Sequence, residues 1–514
     1  MKCWAFALIT LVACRPTSEP PPPPPTVAVA RVARAALADS TIQARDYIGP
    51  EACAECHPVQ GEAWRKSLHA RMNQRVPEVT PIGDFSGVRV AYAGGTATFA
   101  KDREGYTMAL ARAGTTVRYR VTRTIGVARL QEYVGRLLAA DGTATGEEVR
   151  LPFAWWARPR GWYPQPYFDP WFAKESDFDA YAPVHEPWAE RCPWCHSTYP
   201  FAQRIARASA RPVGHGLEQL FVAAPGTDHL ALDQQVTTGI SCESCHLGGR
   251  AHRDGAAIHF VPLGATPRPG APVPTTFAQE RADPEIVNRV CAQCHSGPSP
   301  RLADGTSTRN SSEALDLAAS SCTTARCVDC HDPHTGGSDQ ARAVAACTTC
   351  HDQPATHGGH TASTTCLDCH MPRMVMGIDR VVRTHRISSP TNAKILASAG
   401  PNACNLCHVD RSMAWTLQGL RDQYNIVRTV PARAYGDLEL PVGEVWLASK
   451  EPALRLLAAD AYAKSPLAKL ALPSLVERLA DPLPHLRMWT QFAIETASGH
   501  ALRAREFERL RTPR

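Results

Sequence analysis

One short cysteine and histidine pattern recurs along the whole chain and limits what it can fold into. Of the 19 cysteines among 514 residues, 16 fall into eight copies of Cys-x-x-Cys-His. The copies are Cys53-Cys56-His57, Cys192-Cys195-His196, Cys242-Cys245-His246, Cys291-Cys294-His295, Cys327-Cys330-His331, Cys347-Cys350-His351, Cys366-Cys369-His370 and Cys404-Cys407-His408. Any fold of this chain has to accommodate whatever these eight motifs bind.

The pattern is the attachment motif for c-type haem. Each of the two thiols can form a thioether with one vinyl group of a haem, and the adjacent histidine then lies under the iron as its proximal ligand. We therefore predict eight covalently attached haems, each held by the two cysteines and the histidine of one motif. A zinc ribbon, a disulfide framework or a thioredoxin-like redox site would not require a histidine after every cysteine pair.

The spacing of the motifs predicts the fold class. From Cys192 to His408, 217 residues contain seven motifs, about 31 residues for each. So short a chain cannot build an ordinary hydrophobic core around each motif, and the haems are expected to form the core themselves. The predicted fold is mostly α, with little regular structure around a covalent haem array.

The long interval between the first two motifs has a different character. Val88–Tyr92, Thr96–Ala100 and Val117–Val121 alternate apolar and polar residues, as half-buried strands do. We predict a small antiparallel β insertion over Phe85–Leu151. The following stretch, Phe153–Phe172, is rich in Trp, Tyr and Pro, and it is interpreted as packing, with a haem or substrate pocket as the alternative.

The last hundred residues contain no motif, and their apolar residues recur at helical spacing. They predict an α-helical repeat segment of HEAT type. The predicted domains are a signal at 1–14, a Pro-rich linker at 15–46, a first haem segment at 47–84, a β-rich and aromatic insertion at 85–172, a seven-haem domain at 173–415 and a helical repeat domain at 416–514.

The N-terminus predicts export. Met1–Ala13 has the features of a signal peptide: a basic residue, an apolar run and small residues before Cys14. Leu11–Cys14 resembles the processing box of bacterial lipoproteins, which predicts lipidation of Cys14, and a simple cleaved signal is the alternative. Arg15–Pro25 ends in six prolines, a semi-rigid spacer. Since no other segment is apolar enough to span a bilayer, we expect a lipid anchor alone, in the outer membrane, facing the periplasm or the cell surface.

The charge of the chain does not indicate a nucleic-acid partner. The formal net charge is +6, but each haem adds two propionates, and many Lys and Arg residues are interpreted as propionate partners or solvated surface. The sequence has no basic run and no nucleic-acid motif. The expected partners are redox proteins of the periplasm or cell surface. Cys322, outside the motifs, is interpreted as a small buried apolar residue.

The residues around several motifs follow a pattern shared with known proteins. The segments are Tyr47–His57, Ser67–His69, Thr237–His246, Cys327–His334, Cys366–Pro372, Arg383–His385 and Pro401–Cys404. They resemble the cytochrome c554-type multihaem superfamily, and the last three resemble bacterial members with C-terminal helical repeats. The resemblance implies electron transfer but no defined substrate, because relatives range from electron carriers to reductases and oxidases of small nitrogen and sulfur compounds.

The distal ligands decide between these possibilities. A haem with histidine on both axial sides is closed to substrate, whereas an open distal site can bind a small molecule. The distal candidates, in order of preference, are His69, His252, His334, His385, His357, His360, His185 and His215. His229 and His259 are candidates of the same low rank as His185 and His215. His334 follows His331 too closely to bind the same iron, so it is expected to reach a neighbouring haem.

Two other ligand types are disfavoured. Met371, Met374 and Met376 follow the seventh motif, and we interpret them as packing against a haem edge rather than as ligands. All eight proximal positions are histidine, so the lysine that marks the active haem of pentahaem nitrite reductases is absent.

Two functions therefore remain open. The favoured one is electron transfer through eight six-coordinate haems, without catalytic residues. The alternative is a multihaem oxidoreductase that acts on nitrite, hydroxylamine, tetrathionate or sulfite at one five-coordinate haem.

If the haems form the core, removing one proximal ligand should damage the fold as well as the chromophore. We expect His331→Ala to disrupt the polypeptide around the fifth motif in addition to changing its absorption spectrum. Visible absorption together with limited proteolysis measures both effects. A fully folded, protease-resistant protein with only a local spectral change would contradict the haem-core interpretation.

Overall fold

The computed structural model describes most of the chain after the predicted linker. The described residues are 41–165, 179–182, 186–210, 232–262, 274–351, 360, 364–390 and 392–502. The predicted signal, its lipidation site Cys14 and the distal candidates His185, His215 and His357 lie outside these residues.

The described residues form strands, helices and short 3-10 turns. The strands are β1 (Asn73–Arg75), β2 (Ser86–Tyr92), β3 (Gly95–Asp102), β4 (Gly105–Arg112), β5 (Thr115–Ile125), β6 (Leu130–Leu138), β7 (Ala144–Arg150), β8 (Phe153–Trp156), β9 (Gly161–Pro164), β10 (His331–Asp332), β11 (Gly337–Ser338), β12 (Arg373–Met376) and β13 (Val381–Arg383). The helices of the first half are α1 (Pro50–Cys56), α2 (Pro58–Lys66), α3 (Trp188–Arg191), α4 (Pro193–His196), α5 (Phe201–Ala210), α6 (Arg250–Arg253), α7 (Phe277–Ala282), α8 (Pro284–Ala292) and α9 (Glu313–Ala318). Those of the second half are α10 (Cys327–Cys330), α11 (Gln340–Thr348), α12 (Cys366–His370), α13 (Ala393–Ala397), α14 (Ala403–Cys407), α15 (Met413–Tyr424), α16 (Ala432–Tyr435), α17 (Val442–Leu447), α18 (Pro452–Lys464), α19 (Ala468–Glu477) and α20 (Pro484–Ser498). The 3-10 turns are Ala44–Asp46, Leu232–Gln234, Cys242–Ser244 and Arg478–Ala480.

Strands β1 to β9 form one antiparallel sheet, which has nine strands among the described residues. Its order is β2-β3-β4-β5-β6-β8-β9, with β1 paired to β5 and β7 paired to β6. Tight turns connect its first strands. Between β2 and β3, Ala93 and Gly94 both have positive φ, at 46° and 76°. Ala113 and Gly114, between β4 and β5, have φ of 50° and 80°. Two consecutive residues at positive φ give a turn whose twist matches the flanking strands.

The sheet curls until strands far apart in its order meet around one aromatic core. Trp162 on β9 stacks on Phe99 of β3, with ring centres 3.7 Å apart and planes 2° apart. The indole N–H of Trp162 donates to the carbonyl of Asp84, just before β2, at 3.0 Å. Since β2 and β9 are the two ends of the strand order, these contacts make the sheet a nearly closed barrel.

The prediction of a mostly α fold with a small β insertion is wrong. Helix accounts for 39% of the structure and strand for 20%, and the β region is a large barrel-like sheet. Strict alternation marked only three stretches of the sequence as strands. β6 buries consecutive residues such as Tyr133 and Val134, and β8 and β9 lie within the stretch interpreted as an aromatic cluster. Strands buried on both faces lose the period of two on which the prediction relied.

A second apolar core joins the barrel to the C-terminal helices. Its buried members include Trp156, Tyr163, Met374, Met376, Leu456, Trp489 and Phe492. The Arg158 guanidinium reinforces this contact by donating to the Phe492 carbonyl and to the Thr496 hydroxyl, both at 3.0 Å. Met374 and Met376, considered above as possible iron ligands, are thus buried in a protein core that contains barrel and helix residues.

The C-terminal helices α15 to α20 pack around a third core that includes Trp446, Leu454, Ala458 and Leu475. Helices α18 and α20 both begin with a proline. The backbone N–H at the first position of a helix has no acceptor within the helix, so proline, which lacks this N–H, causes no loss there. The helices range from 4 to 15 residues, and a HEAT-type repeat stays a prediction. Within the described ranges, no helix is long and apolar enough to cross a bilayer.

The stacked pair in the barrel gives a stability prediction. We expect Trp162→Ala to lower the free energy of unfolding by about 3–5 kcal/mol, because it removes a buried ring and leaves a cavity. Guanidinium denaturation followed by far-UV circular dichroism measures this. The matched control is Leu470→Ala, whose side chain is 79% exposed and should change stability by less than about 0.5 kcal/mol. Equal effects of the two variants would contradict the closed aromatic core.

Candidate haem-binding site

Each Cys-x-x-Cys-His motif forms a single helical turn. The backbone N–H of the histidine donates to the carbonyl of the first cysteine at 2.8–3.2 Å in six motifs, and the same bond closes α10 at His331. Residues at positions i, i+3 and i+4 of a helical turn share one face. The two thiols and the imidazole of a motif therefore project together, as attachment to one haem requires.

Local capping explains why several turns form at these positions. In α12 the Asp368 carboxylate accepts from the backbone N–H of Thr365 at 2.8 Å, and in α10 Asp329 accepts from Arg326 at 2.8 Å. Both aspartates lie between the cysteines of their motifs. At the eighth motif, the Asn402 side chain accepts from the N–H of Asn405 at 2.9 Å. A polar side chain within the motif, or one shortly before it, thus caps the start of the turn.

Three pairs of histidine rings lie opposite each other at nearly one distance. The ring centres are 6.2 Å apart for His57 and His252, 6.1 Å for His331 and His385, and 6.3 Å for His360 and His408. A metal-bound imidazole nitrogen lies about 2 Å from its ion, so two histidines on opposite sides of one ion have ring centres about 6.2 Å apart. Each pair joins one motif histidine to one distal candidate.

Two further distal candidates interact electrostatically with a motif histidine. Burial, followed by the charge of His334, lowers the pKa of His246 to about 4. Burial and then the charge of His295 lower the pKa of His69. His334 therefore lies beside the third motif, although it follows the fifth in sequence, and His69 lies beside the fourth.

Several of the histidine rings are held by a hydrogen bond from one ring nitrogen to the backbone. Nδ1 of His252 bonds the Ala256 carbonyl at 2.8 Å, and Nδ1 of His370 bonds the Ser388 carbonyl at 3.0 Å. Backbone groups also bond His69, His331 and His385. A metal-bound histidine normally gives its other ring N–H to such an acceptor, which fixes the tautomer and leaves Nε2 for the metal. The donor set therefore fits haem iron.

Contacts between cysteines show which motifs adjoin. Three pairs of thiols from different motifs are hydrogen-bonded: Cys53 with Cys242, Cys291 with Cys327, and Cys195 with Cys294. Electrostatic interactions extend the series through Cys245 with Cys294, Cys330 with Cys347, Cys347 with Cys366, and Cys369 with Cys404. The motifs therefore adjoin in the order first, third, fourth, fifth, sixth, seventh, eighth, and the second motif adjoins the fourth as a side branch.

One carboxylate pins the first segment of the chain to the third motif. Glu243, between the two cysteines of that motif, is 1% exposed. Its oxygens accept from the backbone N–H groups of Ile48 at 3.0 Å, Gly49 at 2.8 Å and Gly249 at 2.8 Å. Three N–H donors satisfy a buried carboxylate without any cation. This contact brings His57 and His252 to the same place.

The second motif lies against the barrel. Trp188, fully buried, packs with Ile125 and Val134 of the barrel and with Cys192. In the described part of the chain, Nδ1 of His196 is buried without a hydrogen-bond partner, as is Nδ1 of His246. Burial also lowers the pKa of His196; the charge of Glu132 opposes this effect and that of Arg150 adds to it. The barrel thus covers the histidine of the side-branch motif.

Among the residues of functional interest, the sequence analysis missed Glu313. Its carboxylate oxygen Oε2 lies 3.3 Å from Nδ1 of His295. Nothing in the local sequence marks Glu313, because it belongs to no motif and the chain between His295 and Glu313 has no regular pattern that would predict their contact.

Residues 353–435, which contain the seventh and eighth motifs, match the family model of cytochrome c552. No curated protein matches the chain. Two solved structures are similar over most of their length. The outer cell wall cytochrome OcwA has 16% sequence identity and a TM-score of 0.37, over 88% of this chain and 95% of its own. The Wolinella succinogenes octaheme sulfite reductase MccA, form II, has 16% identity and a TM-score of 0.32, over 92% and 85%. At such scores neither structure defines the function of this chain.

The motifs and the cytochrome c552 match identify the chain as a multihaem c-type cytochrome with covalently bound haem. The predicted resemblance to that group is confirmed at this level, and the C-terminal HEAT repeat is not.

The facing rings of His57 and His252 give a spectroscopic prediction. We expect His252→Ala to remove one of two axial imidazoles and to convert one ferric haem from low-spin to high-spin. Low-temperature EPR of the oxidised protein measures the high-spin signal, which should correspond to one haem. His500→Ala, at an exposed C-terminal histidine, is the control and should leave the spectrum unchanged. A purely low-spin spectrum of His252→Ala would exclude this pairing.

Proposed function

We propose that this chain carries eight covalent haems and functions in electron transfer. The observation that carries the proposal is the pairing of motif histidines with second histidines at 6.1–6.3 Å between ring centres. A site with two histidine ligands has no open position for a substrate, whereas it suits a haem that only gains and loses an electron.

The ligands follow from these pairs. The two cysteines and the histidine of each motif hold one haem. The proposed distal ligands are His252 opposite His57, His385 opposite His331 and His360 opposite His408. The electrostatic interactions support two more, His334 opposite His246 and His69 opposite His295. When bound, haem supplies reversible one-electron chemistry at its iron.

The adjoining motifs support one continuous path with two ends. The first and eighth motifs lie at these ends, and each has an exposed cysteine, Cys56 and Cys407, as the sixth and seventh motifs also do. Beside the eighth motif, Trp415 is 40% exposed, and its ring centre lies 4.9 Å from that of His408. The Tyr424 hydroxyl lies 3.4 Å from Nδ1 of His360. We propose these two ends as the places where redox partner proteins exchange electrons with the chain.

The proposed location is the bacterial cell envelope. It rests on the predicted signal peptide and lipoprotein box of residues 1–14 and on the proline-rich spacer, which would hold the folded part away from the outer membrane. Haem attachment to such motifs takes place outside the cytoplasm, which is consistent with export.

A multihaem oxidoreductase is the second candidate, and the second motif is the first place to look for its site. This motif lies beside the main series, where it adjoins the fourth motif, and the barrel covers its histidine. The small nitrogen or sulfur compounds named above are the substrates to test.

Low-temperature EPR of the fully oxidised protein, together with the haem content per chain, decides between the two functions. Electron transfer alone predicts eight haems and only low-spin ferric signals, with His252→Ala as the calibration for one high-spin haem. A high-spin signal of about one haem in the unaltered protein, shifted by nitrite, hydroxylamine or sulfite, would establish the oxidoreductase instead. A haem content below eight would contradict the proposed cofactor count.

A further inference from the structure

Glu313 is built into a defined position beside the histidine of the fourth motif. One of its oxygens, Oε2, accepts from Nδ1 of His295 at 3.3 Å, and the other accepts from the backbone N–H of Ser311 at 2.8 Å. The N–H of Ala314 donates to the His295 carbonyl at 3.0 Å, which ties the start of α9 to the motif. The carboxylate is therefore oriented from both sides and is only 25% exposed.

The other motif histidines have different partners. His370 bonds a backbone carbonyl, and Nδ1 of His196 and of His246 is buried without a partner in the described structure. Among the described motif histidines, His295 is the one hydrogen-bonded to a carboxylate. The contrast is informative because the second and third motifs both adjoin the fourth.

The nature of the second partner changes the ligand. A carboxylate draws the Nδ1 proton of an imidazole more strongly than a carbonyl does, so the ring becomes a more basic and more electron-donating ligand. Such a ligand stabilises ferric iron relative to ferrous iron and lowers the reduction potential. The effect is largest where the carboxylate is partly desolvated and fixed in place, as Glu313 is.

We propose that Glu313 lowers the reduction potential of the haem held by Cys291 and Cys294 and thereby separates the array into two electron-holding segments. This inference rests on the proposed electron-transfer function. The fourth motif adjoins the second, third and fifth motifs, so an electron that enters from either end meets an unfavourable step at this junction. Glu313 acts through His295 and is a positioning residue.

The carboxylate also lies toward the next motif along the path. Burial lowers the pKa of His385, and the charge of Glu313 opposes that effect. His385 faces His331 at 6.1 Å between ring centres. Glu313 therefore contacts the histidine of the fourth motif and also acts electrostatically on His385, the histidine that faces the fifth motif.

A redox titration of the intact protein tests the proposal. Glu313→Gln keeps the shape of the side chain and removes its charge. We expect the reduction equilibrium of one haem to shift about tenfold toward the ferrous form. This is the lower end of the change in metal-site properties that follows loss of a hydrogen-bond partner of a metal-binding histidine. For one electron this is about 59 mV. Optical titration measures the shift, and EPR of the oxidised variant should show changed g-values for one low-spin haem.

Glu285→Gln is the matched control, because Glu285 is also on the segment that leads to the fourth motif but pairs with Arg289 at 3.7 Å. It removes the same charge without contact to His295, and its titration should overlay that of the unaltered protein. An unshifted Glu313→Gln titration would overturn the proposal. So would an equal shift in Glu285→Gln, since the effect would then be one of net charge.

If Glu313→Gln loses haem, Glu313→Asp is measured in its place. It keeps the charge on a shorter side chain and should shift the same haem in the same direction by less than tenfold, and no shift would overturn the proposal. Haem content and spin state are measured on the same samples before titration. Failure of the electron-transfer function would appear there as a high-spin haem, whereas failure of this inference would appear only in the potentials.

Discussion

Histidines from segments far apart in the sequence meet across the space for one metal ion, and most of the structure around the motifs depends on this pairing. His57 meets His252 and His331 meets His385, so each of these pairs joins two separate stretches of chain. Short helices of four to nine residues cannot be stable alone. Where a pair forms, the short helix of the motif lies against the segment that carries the second histidine.

The barrel is built on a different principle. It contains none of the motifs, and its stability comes from aromatic stacking such as that of Phe99 and Trp162. Its outer surface carries the side branch of the array, since Trp188 packs on it beside Cys192, and the Asn73 amide donates to the Ser197 hydroxyl at 2.9 Å. An ordinary hydrophobic fold thus supports the second motif, and the core of the C-terminal helices likewise packs against Cys404 and Leu406 of the eighth.

The sequence predicted what is local and missed what is long-range. The motifs, their helical turns and the helices of the last hundred residues are encoded within a few neighbouring positions. The barrel was underestimated because β6, β8 and β9 are buried on both faces and show no alternation. The partner of each motif histidine was not predictable either, because His334 lies beside His246 and not beside the motif it follows. Glu313 carries no signature at all, since its role depends on a fold that brings α9 against His295.

The contact made by Glu243 has a consequence for assembly. A chain is made from its N-terminus, so the first motif is present long before the segment that contains Glu243 and His252. Until that later segment is present, the Ile48 and Gly49 amides lack the Glu243 acceptor and His57 lacks its facing histidine. The surroundings of the first motif are therefore completed only after the second and third motifs have also been made.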